Sequence, residues 1–150
     1  MRIVSCLVDT NILLRATRRA DPQYKIVDAA LAHLAEQRTT LYYTHQNIAE
    51  LWNAMTRPVE HNGLGLSPEE ADCEVRAVES GMNLLADSEA VYREWRRIVV
   101  KYRISGVRVH DARLAAAMHV YRVEHILTFN VADFIRFEGI SALQPDEVKA

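Results

Sequence analysis

The chain has 150 residues, 49% of them hydrophobic and 25% charged, with a formal net charge of −2. That length suits a single domain, 1–150, and that composition excludes a disordered chain. The charge excludes a strongly basic coat for nucleic acid but leaves room for a local patch; the cations are mostly arginine, with lysine only at Lys25, Lys101 and Lys149.

The first predicted element is a strand. Ile3 to Val8 is an apolar run that ends in Asp9, Thr10 and Asn11. A continuous apolar run is how a strand buried on both faces reads. In open parallel sheets, ligands bind beyond the carboxyl ends of the strands. Asp9 therefore stands where chemistry is usually found, or else caps the helix that begins near Ile12. Cys6 lies inside this run and far from Cys73, so a buried free thiol in a reducing, cytoplasmic setting is expected over a disulfide. No N-terminal stretch has the length of a signal peptide, and no segment that of a membrane span.

Asp21-Pro22 predicts a helix start with Pro at the first helical position, after which Val27, Ala30, Leu31 and Leu34 recur at helical spacing. Thr39 to Tyr43 reads as a second strand. Thr44 follows as the N-cap of a helix with Ile48, Leu51, Trp52 and Met55 on one face. Glu50 falls about 200° from Ile48, outside that stripe. Pro58 and the run from Glu60 to Gly65 end the helix in a loop. Ser67-Pro68-Glu69-Glu70 joins a Ser cap, Pro at the first position and Glu three residues after the cap, and starts a helix that runs to Ser80-Gly81. Met82 to Leu85 is a short strand candidate. Ser88 opens a helix with Val91, Trp95, Ile98, Val99 and Tyr102 as its apolar face, closed by Gly106. Arg93, Arg96, Arg97, Lys101 and Arg103 load that helix with positive charge, which a solvated face also explains.

Val107 to Asp111 leads into an alanine-rich helix, Ala112 to Tyr121, whose small side chains suit close packing on a sheet. Asp111 falls in its first turn, where a carboxylate favours the helix dipole. His125 to Phe129 reads as the next strand, followed by Asn130 and Asp133. Phe134, Ile135 and Phe137 read as core, and Ile140 to Leu143 as a last edge strand before a polar tail. Strands alternating with helices predict an α/β fold, a central parallel sheet with helices on both faces. No repeat or linker divides it.

On this scaffold the acids acquire meaning. Asp9 ends a strand, Glu50 projects from the polar side of a helix, Asp111 begins a helix, and Asn130 and Asp133 follow a strand. Any one of them alone is explained by capping or solvation. Several carboxylates converging on one sheet edge raise one another's pKa and call for a cation. An oxygen-only set suits Mg²⁺ or Mn²⁺ over zinc, and one or two such ions activate water against a phosphodiester. The histidines and cysteines form no zinc pattern; His45, His110 and His119 read as helix-start or surface residues.

Four segments together resemble the PIN domain, and within it the VapC-type toxins. They are Leu7-Val8-Asp9-Thr10-Asn11-Ile12-Leu13, Asn47-Ile48-Ala49-Glu50-Leu51, His110-Asp111-Ala112-Arg113-Leu114-Ala115-Ala116, and Leu127-Thr128-Phe129-Asn130-Val131-Ala132-Asp133-Phe134. Each is short; in family order and spanning nearly the whole chain, they are specific. The resemblance implies a three-layer α/β/α fold and a Mg²⁺-dependent ribonuclease site, with Mn²⁺ as a substitute. By position, Asp9, Glu50 and Asp111 match the family's metal-ligating acids. Many members carry a fourth acid where this chain has Asn130, and Asp133 in the following turn is the other candidate for that catalytic place. Thr10 and Asn11 match supporting positions. The resemblance further implies a homodimer and a small antitoxin that covers the active-site groove. Arg15, Arg96 and Arg97, with Arg18 and Arg19, are the expected contacts to RNA phosphates, and such binding should weaken steeply with salt.

Other classes fit less well. A haloacid-dehalogenase-like phosphatase needs a second aspartate two residues after the first, where this chain has Asn11. A receiver domain needs an acidic pair and a lysine that the three lysines do not supply. A dinucleotide fold needs a glycine-rich turn after the first strand. The alternative that remains is a PIN domain without activity, serving as an RNA-binding or protein-interaction module.

Overall fold

In the computed structural model, which describes residues 2–148, the apolar run ahead of Asp9 is the central strand of a five-stranded sheet. The strands are β1 (Ser5–Val8), β2 (Thr40–Thr44), β3 (Asn83–Leu85), β4 (His125–Leu127) and β5 (Ser141–Leu143), in the order β3-β2-β1-β4-β5. Every neighbouring pair is parallel; Leu7, for example, stands beside Tyr42 on one side and Ile126 on the other. The six α-helices among the described residues are α1 (Thr10–Ala16), α2 (Tyr24–Glu36), α3 (His45–Thr56), α4 (Pro68–Gly81), α5 (Glu89–Lys101) and α6 (Val109–Tyr121).

The alternation of side chains along a strand divides the core into two layers. Cys6, Val8, Leu41, Tyr43 and Leu127 face α1 to α4, where Ile12, Leu13, Val27, Leu34, Leu51, Met55 and Val75 cover them. Leu7, Leu85 and Ile126 face the other way, against Val91 and Ile98 of α5 and the alanines of α6. Ala112, Ala115, Ala116 and Ala117 are all buried, which lets α6 pack closely against the sheet and α5. The Cys6 thiol is fully buried, and burial pushes its pKa up to about 12, so it acts as a small apolar core residue.

The predicted caps form. Thr44 and Ser67 each complete a capping box, with Asn47 and Glu70 as the reciprocal partners, and Ser88 caps α5. Elsewhere local signals are displaced. Asp21 accepts a hydrogen bond from the Gln23 backbone at 2.8 Å, making a turn there, and α2 starts only at Tyr24. The helix α5 ends at Lys101, with Arg103 in the left-handed region (φ 53°); Gly106 (φ 65°) instead opens a short 3-10 turn into α6. The fourth strand stops at Leu127, two residues earlier than its apolar run. Phe134 and Phe137 are core, but Ile135 is 73% exposed, because the chain there is a succession of turns rather than a helix with one buried face. His119 is a partly exposed residue with a structural role: its Nδ1 lies 2.7 Å from Glu94 and its Nε2 lies 2.8 Å from the Glu138 carbonyl, tying α6 to α5 and to the loop before β5. The C-terminal segment is not wholly polar either, since Val148 is buried against the α2 side of the core; Lys149 lies outside the described residues.

Candidate active site

The strand order reverses direction at β1, with β2 on one side and β4 on the other. The carboxyl ends of β1 and β4 therefore form the switch point at which open α/β sheets bind ligands. Asp9 sits there, in extended conformation, as the N-cap of α1. Its backbone continues the β1–β4 ladder, donating to the Leu127 carbonyl at 3.0 Å. The residue is 9% exposed, and its carboxylate is held by two donors. The Thr10 backbone N–H donates to Oδ1 at 2.8 Å, and the Thr128 hydroxyl donates to Oδ2 at 2.8 Å. Thr128 is fully buried and accepts in turn from the Asn130 backbone at 3.0 Å and from Asn11 Nδ2 at 3.4 Å. Asn11 also accepts from the Phe129 backbone at 3.3 Å, so it straps the end of β1 to the end of β4.

A second chain of bonds orients the other wall. Asn47 is fully buried at the start of α3, and its Nδ2 donates to the Thr10 hydroxyl at 3.1 Å. That hydroxyl donates onward to Glu50 Oε1 at 3.4 Å. Thr10 thus connects the first strand end to the acid of α3. Asp111, in the first turn of α6, accepts from Arg108 at 3.3 Å, and the same guanidinium pairs with Asp133 at 2.5 Å.

Asp9, Thr10, Asn11, Glu50, Asp111 and Asn130 all border one cleft of about 250 Å³, together with Gln46. The structure thus brings together six of the seven residues expected in or beside the catalytic centre. Asp133 is the exception; its carboxylate is engaged by Arg108 and does not border the cleft. Of the arginines, Arg15 donates to Gln23 at 3.0 Å, and Arg97 makes paired bonds of 2.7 and 2.8 Å to Glu94. Arg96 is exposed on α5, and none of the three borders the carboxylate cleft. Thr128, Gln46, Asn47 and Arg108 were not singled out by sequence. Thr128 had a signal: it follows β4 just as Asp9 follows β1.

The electrostatics at Asp9 are those of a buried acid lacking a counter-charge. The Asp9 pKa is pushed up to about 6, chiefly by burial, with Glu50 and Asp111 adding repulsion against the lowering effect of the Thr128 and Thr10 bonds. The Asp111 pKa is also raised, by burial first and by Asp133, with Arg108 opposing. The donors at the cleft are oxygens, which fits a hard divalent cation. Among the described residues, no three His, Cys, Asp or Glu side chains close on a common point tightly enough to hold an ion by themselves. Mg²⁺ keeps several of its waters and binds proteins through one or two carboxylates, so separated acids around an open cleft fit a hydrated ion. Gln46 Oε1 fits the same picture, a buried acceptor at the cleft wall with no hydrogen-bond donor among the described residues.

The PIN-domain family model matches residues 6–139. The chain belongs to the PIN-domain family. PIN domains are generally nucleases. Solved structures with the same fold include VapBC-1 from nontypeable Haemophilus influenzae, at 16% identity and a TM-score of 0.68 over 95% of this chain and 98% of that chain. VapBC2 from Rickettsia felis, bound to a DNA fragment from its promoter, gives 15% identity and 0.67 over 93% and 98%. Mycobacterium tuberculosis VapC20, a sarcin-ricin loop cleaving toxin, gives 12% identity and 0.65 over 90% and 98%. At such identities the likeness is one of PIN fold. Comparison with curated proteins gives no match. No helix among the described residues is long and apolar enough to cross a membrane.

Proposed function

We propose that this PIN domain is a Mg²⁺-dependent endoribonuclease, the toxin of a toxin–antitoxin pair, acting in the cytoplasm as a homodimer. The observation that carries the catalytic part is the gathering of Asp9, Glu50 and Asp111 around one cleft at the sheet's switch point, with Asp9 held for use by two donors. The toxin part is supported by the likeness to solved toxin–antitoxin complexes, including one from Klebsiella pneumoniae. Neutralisation by a small antitoxin and dimerisation are taken from that likeness.

Asp9, Glu50 and Asp111 would hold the divalent ion, which supplies Lewis-acid chemistry when bound, lowering the pKa of water and neutralising charge on the phosphodiester. The chain's own residues do the rest. Thr10 and Thr128 hold both oxygens of Asp9, so no reorientation precedes binding. Asn47 and Thr10 hold Glu50 toward the cleft. Asn130 borders the cleft as a neutral amide, orienting water or ribose rather than adding charge. Hydrolysis by attacking water leaves a 5′-phosphate and a 3′-hydroxyl.

The test is cleavage of an RNA panel in Mg²⁺, in Mn²⁺ and in chelator, with wild type beside Asp9→Asn. Metal-dependent cutting that disappears in Asp9→Asn is the expected result. Cutting that survives in the variant, or ends bearing a 2′,3′-cyclic phosphate, would remove the carboxylate mechanism. Absence of both cutting and metal binding would leave the interaction module as the function.

A further inference from the structure

Two further clefts neighbour the carboxylate cleft along the carboxyl edge of the sheet, past β2 to β3, each sharing lining residues with the one before. Gln46 and Glu50 also border a middle cleft of about 350 Å³, which His45, His110 and Arg113 complete. Arg113 in turn borders a third cleft of about 320 Å³, walled by Val91, Tyr92 and Trp95 of α5 and by the Asp87-Ser88 segment that follows β3. The bond from Gln46 Nε2 to the His110 carbonyl, at 3.0 Å, joins α3 to α6 across this path.

The third cleft is built unlike the first. Trp95 is fixed, its Nε1–H donating to the Val109 carbonyl at 2.9 Å. Tyr92 lies beside it, ring centroids 6.3 Å apart and planes inclined by 30°, yet is 54% exposed. An aromatic ring left half in water beside an anchored indole is a stacking surface without a partner. Arg113 sits between this pair and the carboxylates, and among the described residues its one ion-pair partner is Asp87 at 3.7 Å, in a solvent-exposed pair that contributes little. A guanidinium so loosely held is free to take a phosphate.

We propose that the third cleft is a nucleobase subsite. An unpaired base of single-stranded RNA stacks on Tyr92 and Trp95, while Arg113 meets a phosphate of the strand running toward the carboxylates. The inference rests on the nuclease reading and extends it to how the substrate is held. Continuity with the carboxylate cleft favours RNA over a protein segment, because a strand lying along the sheet edge reaches the acids and the aromatic pair in one path. Stacking of this kind tolerates any base, so the subsite sets a register on the strand rather than a sequence.

The test uses the full chain in Ca²⁺ in place of Mg²⁺, with fluorescein-labelled single-stranded RNA octamers, one intact and others with a single abasic ribose at each position. Binding is read by anisotropy. For wild type, one abasic position is expected to weaken binding by about fivefold or more. Tyr92→Ala should lose a similar factor on intact RNA and become indifferent to that abasic position, whereas Tyr92→Phe should keep wild-type behaviour. Arg113→Gln should weaken binding without moving the sensitive position. Tyr92 is a surface residue, so the variant is expected to fold, and its circular dichroism checks this. Wild-type affinity in Tyr92→Ala, or an abasic penalty that persists undiminished there, overturns the subsite. So does an unchanged affinity together with a changed sedimentation coefficient, which would assign the aromatic pair to a protein interface. Absence of wild-type binding to any octamer overturns it as well. Cleavage in Mg²⁺, with Asp9→Asn as control, is scored separately: cutting intact with a negative Tyr92 result removes the subsite alone, and no cutting removes the reading beneath it.

Discussion

Asp9 is strained by its own placement, and the strain has a sign. Its folded pKa of about 6 lies above the ordinary 3.8, with burial as the first cause. The folded state therefore binds more protons than the unfolded state between those values. The contribution of Asp9 to stability is fully present below about pH 4 and is lost as pH rises through about 6. The loss amounts to about 3 kcal/mol. In the absence of divalent ions, Asp9→Asn should accordingly melt several degrees above wild type at pH 8, and the difference should shrink toward pH 4. Thermal scans across that range check this; a difference that does not change with pH would mean that Asp9 is not a buried acid without a counter-charge. Added Mn²⁺ at pH 8 should raise the melting temperature of wild type and not of the variant. Arg108 carries the complementary prediction. It holds both Asp111 and Asp133, and its side chain is 49% exposed. Its pairs contribute little to stability, but they occupy a carboxylate proposed for the ion. Arg108→Gln should tighten Mn²⁺ binding several-fold in calorimetry, and weaker binding would instead make Arg108 the residue that positions Asp111.

At the scale of elements, the start of α3 does two jobs. Asn47 Oδ1 accepts from the Thr44 backbone at 2.9 Å and from its hydroxyl at 2.8 Å, closing the capping box, while Nδ2 reaches Thr10. Asn47→Ala removes the cap partner and leaves Thr44 N–H buried without an acceptor, at a cost of about 2–3 kcal/mol. Denaturant unfolding should show the loss, and Asn47→Asp should retain the cap yet still loosen Thr10; equal losses in both variants would refute the division of labour. These elements also show what a sequence can reveal. The caps at Thr44, Ser67 and Ser88 were legible because a cap is made within four residues. The strand β1 and its Asp9 were legible because burial on both faces leaves an unbroken apolar run. What was lost was whatever depends on a distant neighbour. Asn47 reads as an ordinary helical asparagine until α1 supplies Thr10. Ile135 reads as core until the turns around it put it in water. Arg97 reads as a free cation until Glu94 meets it; the Glu94 carboxyl is held down at about 2, by the Arg97 hydrogen bond first and by His119 next. The site divides in the same way. Asp9, Glu50 and Asp111 came from spacing and resemblance, whereas Thr128 and Gln46 needed the sheet order.

Across the whole molecule, charge limits how the proposed RNA substrate would be held. The net charge is −2, and three of the five cations in and just after α5 are paired with acids. Arg93 pairs with Glu89, Arg97 with Glu94, and Lys101 with Glu138. Along the trough from the acids to Tyr92, Arg113 is the sole arginine or lysine among the described residues, with Arg108 beside Asp111. A single strand releases about 0.7 counterions for each phosphate neutralised. Two such contacts give a slope of log K against log salt between about −1 and −2. The arginine content read from sequence alone argues for a steep dependence; the pairing of those arginines argues for a shallow one. Octamer binding measured from low to moderate salt decides between them. A slope near −1 to −2 means that stacking and the carboxylate site hold the strand, with phosphate contacts as a minor term. A slope of about −3 or steeper would mean that RNA draws in Arg15, Arg96 and Arg97 from their present surroundings. Charge reversal at Arg96 and Arg97 would then flatten it, whereas on the shallow outcome the same reversal should leave both affinity and slope unchanged.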